Sequence, residues 1–238
     1  MKNWLIDHFY DNIILTERSI GKTEEECHLK GIGPIATPVK DPELVRIRRD
    51  QIVTAATKLF AQKGYHRTTT REIARESGLG TGTLYEYVNS KEDILYLVCD
   101  MIHTQVEDRL KMVSPHGTHM INRLPLILNG FFRVMDELQE WVLLIYQETK
   151  SLPNDYLEYV LAREEKITDY FADLLQIGIQ DGSFVVEPEV VSLMAHNIVV
   201  LGQMWAFRRW SLQKKYTLDT FTETQTSLLM RELVAQVK

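Results

Sequence analysis

Apolar residues return along almost the whole chain at three- and four-residue intervals. Strict in-out alternation and repeats at a fixed longer spacing are lacking, so the expected fold class is all-α. Near the start, Leu5, Ile6, Phe9, Tyr10, Ile13 and Ile14 share a helical face, and Gly31, Gly33, Pro34 and Pro38 then read as a linker. Residues 1–40 are therefore expected to be an extension made of a short helix and a loop. Asp41 ahead of Pro42 is a good helix start and Gly64 a stop, which predicts a helix from about Pro42 to Lys63 that buries Ile52, Ala55, Ala56, Leu59 and Phe60. Thr69 with Glu72 three residues on is a capping box, and the short helix it opens should close at Gly78. After that turn a third short helix, roughly Gly82 to Val88, turns Leu84 and Val88 inward and leaves Tyr85 and Tyr87 to point elsewhere. Ser90 with Asp93 caps the next helix, whose apolar face holds Ile94, Leu97, Val98, Met101 and Ile102.

Breakers divide the remainder into helices over about 118 to 138, 140 to 150, 154 to 180, 188 to 211 and 218 to 237. Pro125 should kink the first of these or delay its start. Residues 190 to 207 carry no charge and are long enough for a membrane span, but Ser192, His196, Asn197, Gly202 and Gln203 interrupt them, and a buried helix is the better reading. Along that helix, positions 191, 194, 195, 198, 199, 202 and 206 form one stripe that includes the small residues Ala195, Gly202 and Ala206. The last helix offers Phe221, Leu228, Leu229 and Leu233.

Composition is that of an ordinary globular protein, 45% hydrophobic and 25% charged. The net charge of −6 argues against a partner rich in phosphate until it is divided along the chain. Between residues 44 and 91 nine basic side chains face four acidic ones, so this segment is +5 and the rest of the chain −11. A basic block on an acidic body is the asymmetry expected where one domain meets nucleic acid and the other does not. Cys27 and Cys99 lie far apart and the first residues do not read as a secretory signal, so no disulfide and a cytoplasmic location are expected.

Two short helices joined by a tight glycine turn and braced by a longer helix make a helix-turn-helix, in which the second short helix enters the major groove. The run Thr69-Thr70-Arg71-Glu72-Ile73-Ala74, then Gly78 to Val88, then Lys91-Glu92-Asp93-Ile94-Leu95 resembles the signature of the tetracycline-repressor (TetR) family, with Val88 where an aromatic is common. The resemblance is dense over residues 46 to 95. It implies a three-helix DNA-binding domain over residues 41–90 and a helical effector-binding and dimerisation bundle over residues 91–238. It also implies that Thr70, Tyr87 and Lys91 hold the DNA backbone while Arg71, Thr81, Gly82, Thr83 and Tyr85 face base edges. The chemistry agrees: hydroxyls and a lysine suit phosphates, and an arginine fits guanine in the major groove.

The partners implied are a palindromic operator in double-stranded DNA, a second copy of the chain docked through the stripe around Gly202 and the last helix, and a small hydrophobic effector, for example a fatty acyl-CoA. No membrane partner is expected. For the effector, the bulky residues Phe131, Met135, Trp141, Tyr146, Phe171, Met194 and Trp205 are the candidate walls, and Arg208 is a candidate phosphate contact. The alternative is a small-molecule-processing enzyme with an appended DNA-binding motif, but no nucleophile elbow, phosphate loop or His-Glu-x-x-His run is present. No catalytic residue, cofactor or metal set is expected; His116 and His119 stand without a cysteine or carboxylate cluster.

Overall fold

The computed structural model describes residues 35–113 and 119–234, and among them every regular element is helical. The short helix expected near residues 5 to 14, and His116, lie outside the described residues. The chain divides into two compact units, one holding the residues up to Asp100 together with Gln147–Ala162, the other Met101–Tyr146 and the residues from Arg163 onward.

In the first unit, α1 (Pro42–Lys63) starts where the Asp41 carboxylate accepts from the Glu43 and Leu44 amides, and it stops at Gly64, whose φ of 80° suits only glycine. Ile52, Ala55, Ala56 and Phe60 are inside as expected, whereas Leu59, expected with them, is half-buried. Helix α2 (Thr70–Glu76) opens on the capping box: Thr69 Oγ1 accepts from the Glu72 amide, and the Glu72 carboxylate accepts from the Thr69 amide at 2.9 Å. It closes with Gly78 at φ 72°, where the Leu79 amide donates to Ala74 O and the Gly78 amide to Arg75 O. Those two bonds are a Schellman closure, and they set the tight turn into α3 (Thr81–Leu84).

Helix α3 is a single turn, shorter than the expected Gly82-to-Val88 helix. From Glu86 the amides bond three residues back, to Thr83 and Leu84, and this tighter winding changes the facing of Tyr87. Leu84 and Val88 are fully buried as expected and Tyr85 is exposed, but Tyr87 is buried at 4% exposure rather than pointing out with Tyr85. Arg49 of α1 ties this end down: its guanidinium donates to Tyr87 O at 3.1 Å and to Ile35 O at 2.5 Å. Helix α4 (Lys91–Val113) starts at Ser90, whose Oγ accepts from the Asp93 amide at 3.0 Å.

The second unit is built around α5 (Met120–Glu137), which runs through Pro125. Its first amides are satisfied from elsewhere in the unit, Met120 N by Asp181 and Ile121 N by Ser183. Around it come α6 (Gln139–Glu148), α7 (Asn154–Gln180), α8 (Val191–Phe207), α9 (Arg209–Leu212) and α10 (Leu218–Leu233); α4, α6 and α7 each run from one unit into the other. The helix expected over 188 to 211 is divided: a 3-10 turn, Pro188–Val190, precedes α8, and the backbone leaves helical geometry at Arg208 (φ −106°, ψ 14°). Helix α8 is apolar and long enough, with its 3-10 start, to cross a membrane. Here one of its faces is core.

That face corrects an expectation. Val191, Ala195, Ile198, Val199, Gly202 and Ala206 are buried inside the unit, so the small residues admit α5 of the same chain rather than a second copy. A Cβ at Gly202 would stand 2.4 Å from Phe131 Cε1, so only glycine allows this approach. Phe131 packs on Phe171 with ring centroids 4.9 Å apart, and Phe221 bridges Phe132 and Trp205. On α10, Phe221, Leu229 and Leu233 are inside as expected, whereas Leu228 is half exposed.

Two outcomes follow from this packing. Gly202→Ala should lower stability by about 1–3 kcal/mol through overpacking against Phe131, read as a fall in thermal midpoint; an unchanged midpoint would refute the close approach. The Glu72 carboxyl is held down at about 2, first by the Lys63 ammonium at 2.5 Å and then by Thr69. A depressed folded-state pKa stabilises above the ordinary value of 4.5 and is lost as pH falls toward 2. Wild type should therefore melt above Glu72→Gln near neutral pH, and the gap should close between about pH 5 and pH 2.

Candidate DNA-reading surface and effector cavity

Helices α2 and α3 bring the candidate base-reading residues to one edge of the first unit. Thr70 Oγ1 and the Tyr85 hydroxyl lie 3.0 Å apart in a hydrogen bond, joining the first turn of α2 to the end of α3. Arg71, Thr81, Gly82 and Tyr85 are exposed and Thr83 is half-buried. Nothing stands within 4 Å of where a Cβ on Gly82 would be, so that side of α3 is open.

The ion pairs decide which cations remain outward. Glu72 pairs with Lys63 and Glu76 with Lys58, both on α1, so neither carboxylate takes the arginine beside it. Arg71 and Arg75 have no ion-pair partner among the described residues. Lys91 sits with its ammonium 4.1 Å from the Tyr65 ring centroid and 3.4 Å from His66 O, and partial burial there lowers its pKa from the ordinary lysine value. Tyr65 thus positions Lys91, and Arg49 positions Tyr87; neither contribution is marked by the linear motif.

Within the second unit a cavity enclosing some 340 Å³, open solvent at its mouth included, has mostly apolar walls. Phe131, Met135 and Tyr146 of the candidate effector residues line it. Phe171 and Trp205 are buried in the core beside it, the indole donating to Asp136 Oδ1 at 2.6 Å. Trp141 and Met194 are partly buried against that core. Arg208 is exposed, its guanidinium 5.5 Å from the Trp210 ring centroid.

Three polar residues of the lining escaped the sequence reading: His103 on α4, Glu164 on α7 and Gln203 on α8. With Tyr146 on α6 they form one network. Tyr146 OH donates to Gln203 Oε1 at 2.8 Å, Gln203 Nε2 donates to Glu164 Oε1 at 2.5 Å, and His103 Nε2 lies 3.1 Å from Glu164 Oε2. Burial, and then the Glu164 charge, hold the Tyr146 hydroxyl protonated by raising its pKa well above 10. The legible signal was His103 itself, which stands on the stripe of Ile102, Val106 and Leu110 where an apolar residue is the rule.

Comparison with known proteins agrees with this architecture. Residues 52–96 match the family described as bacterial regulatory proteins, tetR family, and residues 117–210 match the tetracyclin repressor-like C-terminal domain. The HTH-type transcriptional regulator HbdR of Aromatoleum sp. (strain CIB) is 32% identical over 197 residues, spanning 82% of this chain and 85% of that protein. Among solved structures, a tetR-family regulatory protein from Rhodococcus RHA1 superposes with a TM-score of 0.69 at 22% identity, over 79% of this chain and 98% of that one. FadR of Bacillus subtilis, solved in complex with stearoyl-CoA, superposes with a TM-score of 0.66 at 22% identity, over 77% and 98%. With the helix-turn-helix, the helical second unit and a relative this similar over most of its length, the chain belongs to the TetR family of bacterial transcriptional regulators.

Proposed function

We propose that the protein is a repressor that grips a palindromic operator as a homodimer and releases it when a small hydrophobic effector, for example a fatty acyl-CoA, fills the cavity of the second unit. The observation that carries this reading is the exposed edge of α2 and α3, where Thr70, Arg71, Thr81, Gly82, Thr83 and Tyr85 stand together with Arg71 left without an acidic partner. Arg71 and Tyr85 read base edges, with Thr81, Gly82 and Thr83 letting the backbone approach; Thr70 and Lys91 take phosphates, whereas Tyr87, expected beside them, is buried and braces the end of α3.

A second copy docks on faces of α8 and α10 other than the buried stripe. Leu193 and Val200 on α8 and Leu228 on α10 are each at least half exposed, and apolar residues at such spacing suit a four-helix interface between subunits. A dimer presents two reading edges, and a half-site spacing near one turn of DNA follows from its symmetry.

Helix α4 is the lever. It begins at Lys91 and, further along, contributes Ile102, His103 and Val106 to the cavity wall, so the cavity meets its middle rather than its far end near Met112. An effector weakens DNA binding only through its unequal affinity for the two arrangements, and operator DNA must weaken effector binding by the same factor.

Selection from a random DNA pool supplies the operator for the tests. Lys91→Ala should weaken binding on all sequences alike and reduce the salt slope by about 1, whereas Arg71→Ala should lose roughly 1–3 kcal/mol of discrimination at one base position. If mobility-shift titrations find both variants unchanged, the proposed DNA contacts are wrong. Val200→Glu should yield monomers in ultracentrifugation that no longer hold the palindrome; a variant that remains dimeric would move the interface elsewhere.

A further inference from the structure

The cavity described above has more polar chemistry than an alkyl chain needs, and its polar groups are gathered in one network. Tyr146, Gln203 and Glu164 are engaged with one another, and the second Glu164 oxygen faces His103 Nε2. His103 is 1% exposed, and its other ring nitrogen, Nδ1, is buried with no hydrogen-bond partner among the described residues. Seven buried side-chain atoms among the described residues lack a partner, and His103 Nδ1 is the one that belongs to a residue of the cavity lining, where a ligand can supply what a buried unpaired nitrogen needs.

Resting on the reading of this cavity as the effector site, we infer that the effector is an apolar molecule bearing a hydroxyl that bonds His103 Nδ1. Glu164 accepts from His103 Nε2–H and so fixes which nitrogen is left over. On a neutral imidazole that nitrogen is an acceptor; on an imidazolium it is a donor. A hydroxyl serves either state, a ketone or thioester oxygen only the second, and an ammonium only the first. The Glu164 carboxylate in the same network disfavours a ligand that brings a further negative charge to this point.

Matched ligands test the hydroxyl directly. Full-length protein is titrated by calorimetry with toluene and phenol, which exchange a methyl for a hydroxyl on one ring, and with isovaleryl-CoA and 3-hydroxyisovaleryl-CoA. The hydroxylated member should bind at least tenfold tighter in one pair or both. A preference in the free pair points to a free hydroxylated compound, and one in the thioester pair to a hydroxyacyl-CoA; either supports the inference. His103→Leu and His103→Phe, each checked for helical content, should bring the ratio to within twofold while the apolar member still binds. In the unsubstituted protein the Nδ1 nitrogen resonance of His103 should move with the hydroxylated ligand and not with its apolar match. Equal affinities within both pairs, or a preference that survives replacement of His103, would overturn the hydroxyl assignment alone, provided these ligands bind and release operator. If none of the four binds, the cavity is not the effector site, and the reading on which the inference rests falls with it.

Discussion

Helix α2 has seven residues and α3 four, both far below the length at which a helix holds itself in water, so the reading edge exists only because its ends are closed by other groups. Thr69 and Glu72 close the start of α2, the Gly78 turn closes its end, and the Arg49 guanidinium binds the carbonyl of Tyr87 just past α3. The same requirement returns in the second unit, where Asp181 and Ser183 take the first amides of α5. Unsatisfied backbone groups at helix ends are thus the constraint to which the other features answer. A side chain that closes an end also ties together segments distant in sequence, as Arg49 does for Ile35 and Tyr87.

Charge is distributed by the same logic. The basic block is not uniformly available to phosphate: Lys58 and Lys63 are spent on Glu76 and Glu72, Arg46 on Glu43 and Asp50, and Arg71 is left outward at the start of α2. Each exposed pair adds little to stability, yet together they select which cations remain unpaired along α2. Lys91 is prepared differently, resting over the Tyr65 ring with its ammonium partly desolvated.

In the second unit the close approach at Gly202 lets α8 lie against α5 beneath Phe131, and this brings Val199 and Gln203 to the same cavity as Phe131 and Met135. Core and cavity are therefore one packing problem, and the polar network from α4, α6, α7 and α8 sits where four helices meet. Helix α4 supplies both a wall of that cavity and, at its other end, Lys91.

Much of this was legible in the sequence, and the legible part shares a physical origin. The Asp41, Thr69 and Ser90 caps and the stops at Gly64 and Gly78 depend on hydrogen bonds and backbone angles within about a turn of the residue, so order along the chain determines them. The all-α class and the buried stripe of α1 follow likewise from the 3.6-residue period. Tertiary structure alone decided which apolar face of α8 turns inward, since Gly202 and Ala206 suit a neighbour from the same chain or from another equally well. It decided that Tyr87 is buried, because winding past Leu84 tightens against α1. It also decided that Glu72 and Glu76 pair across to α1, and that His103, Tyr146, Glu164 and Gln203 meet. Those partners are separated by 18 residues for Lys58 and Glu76 and 61 for His103 and Glu164, and contact at that separation is set by how helices pack, which residue spacing does not encode.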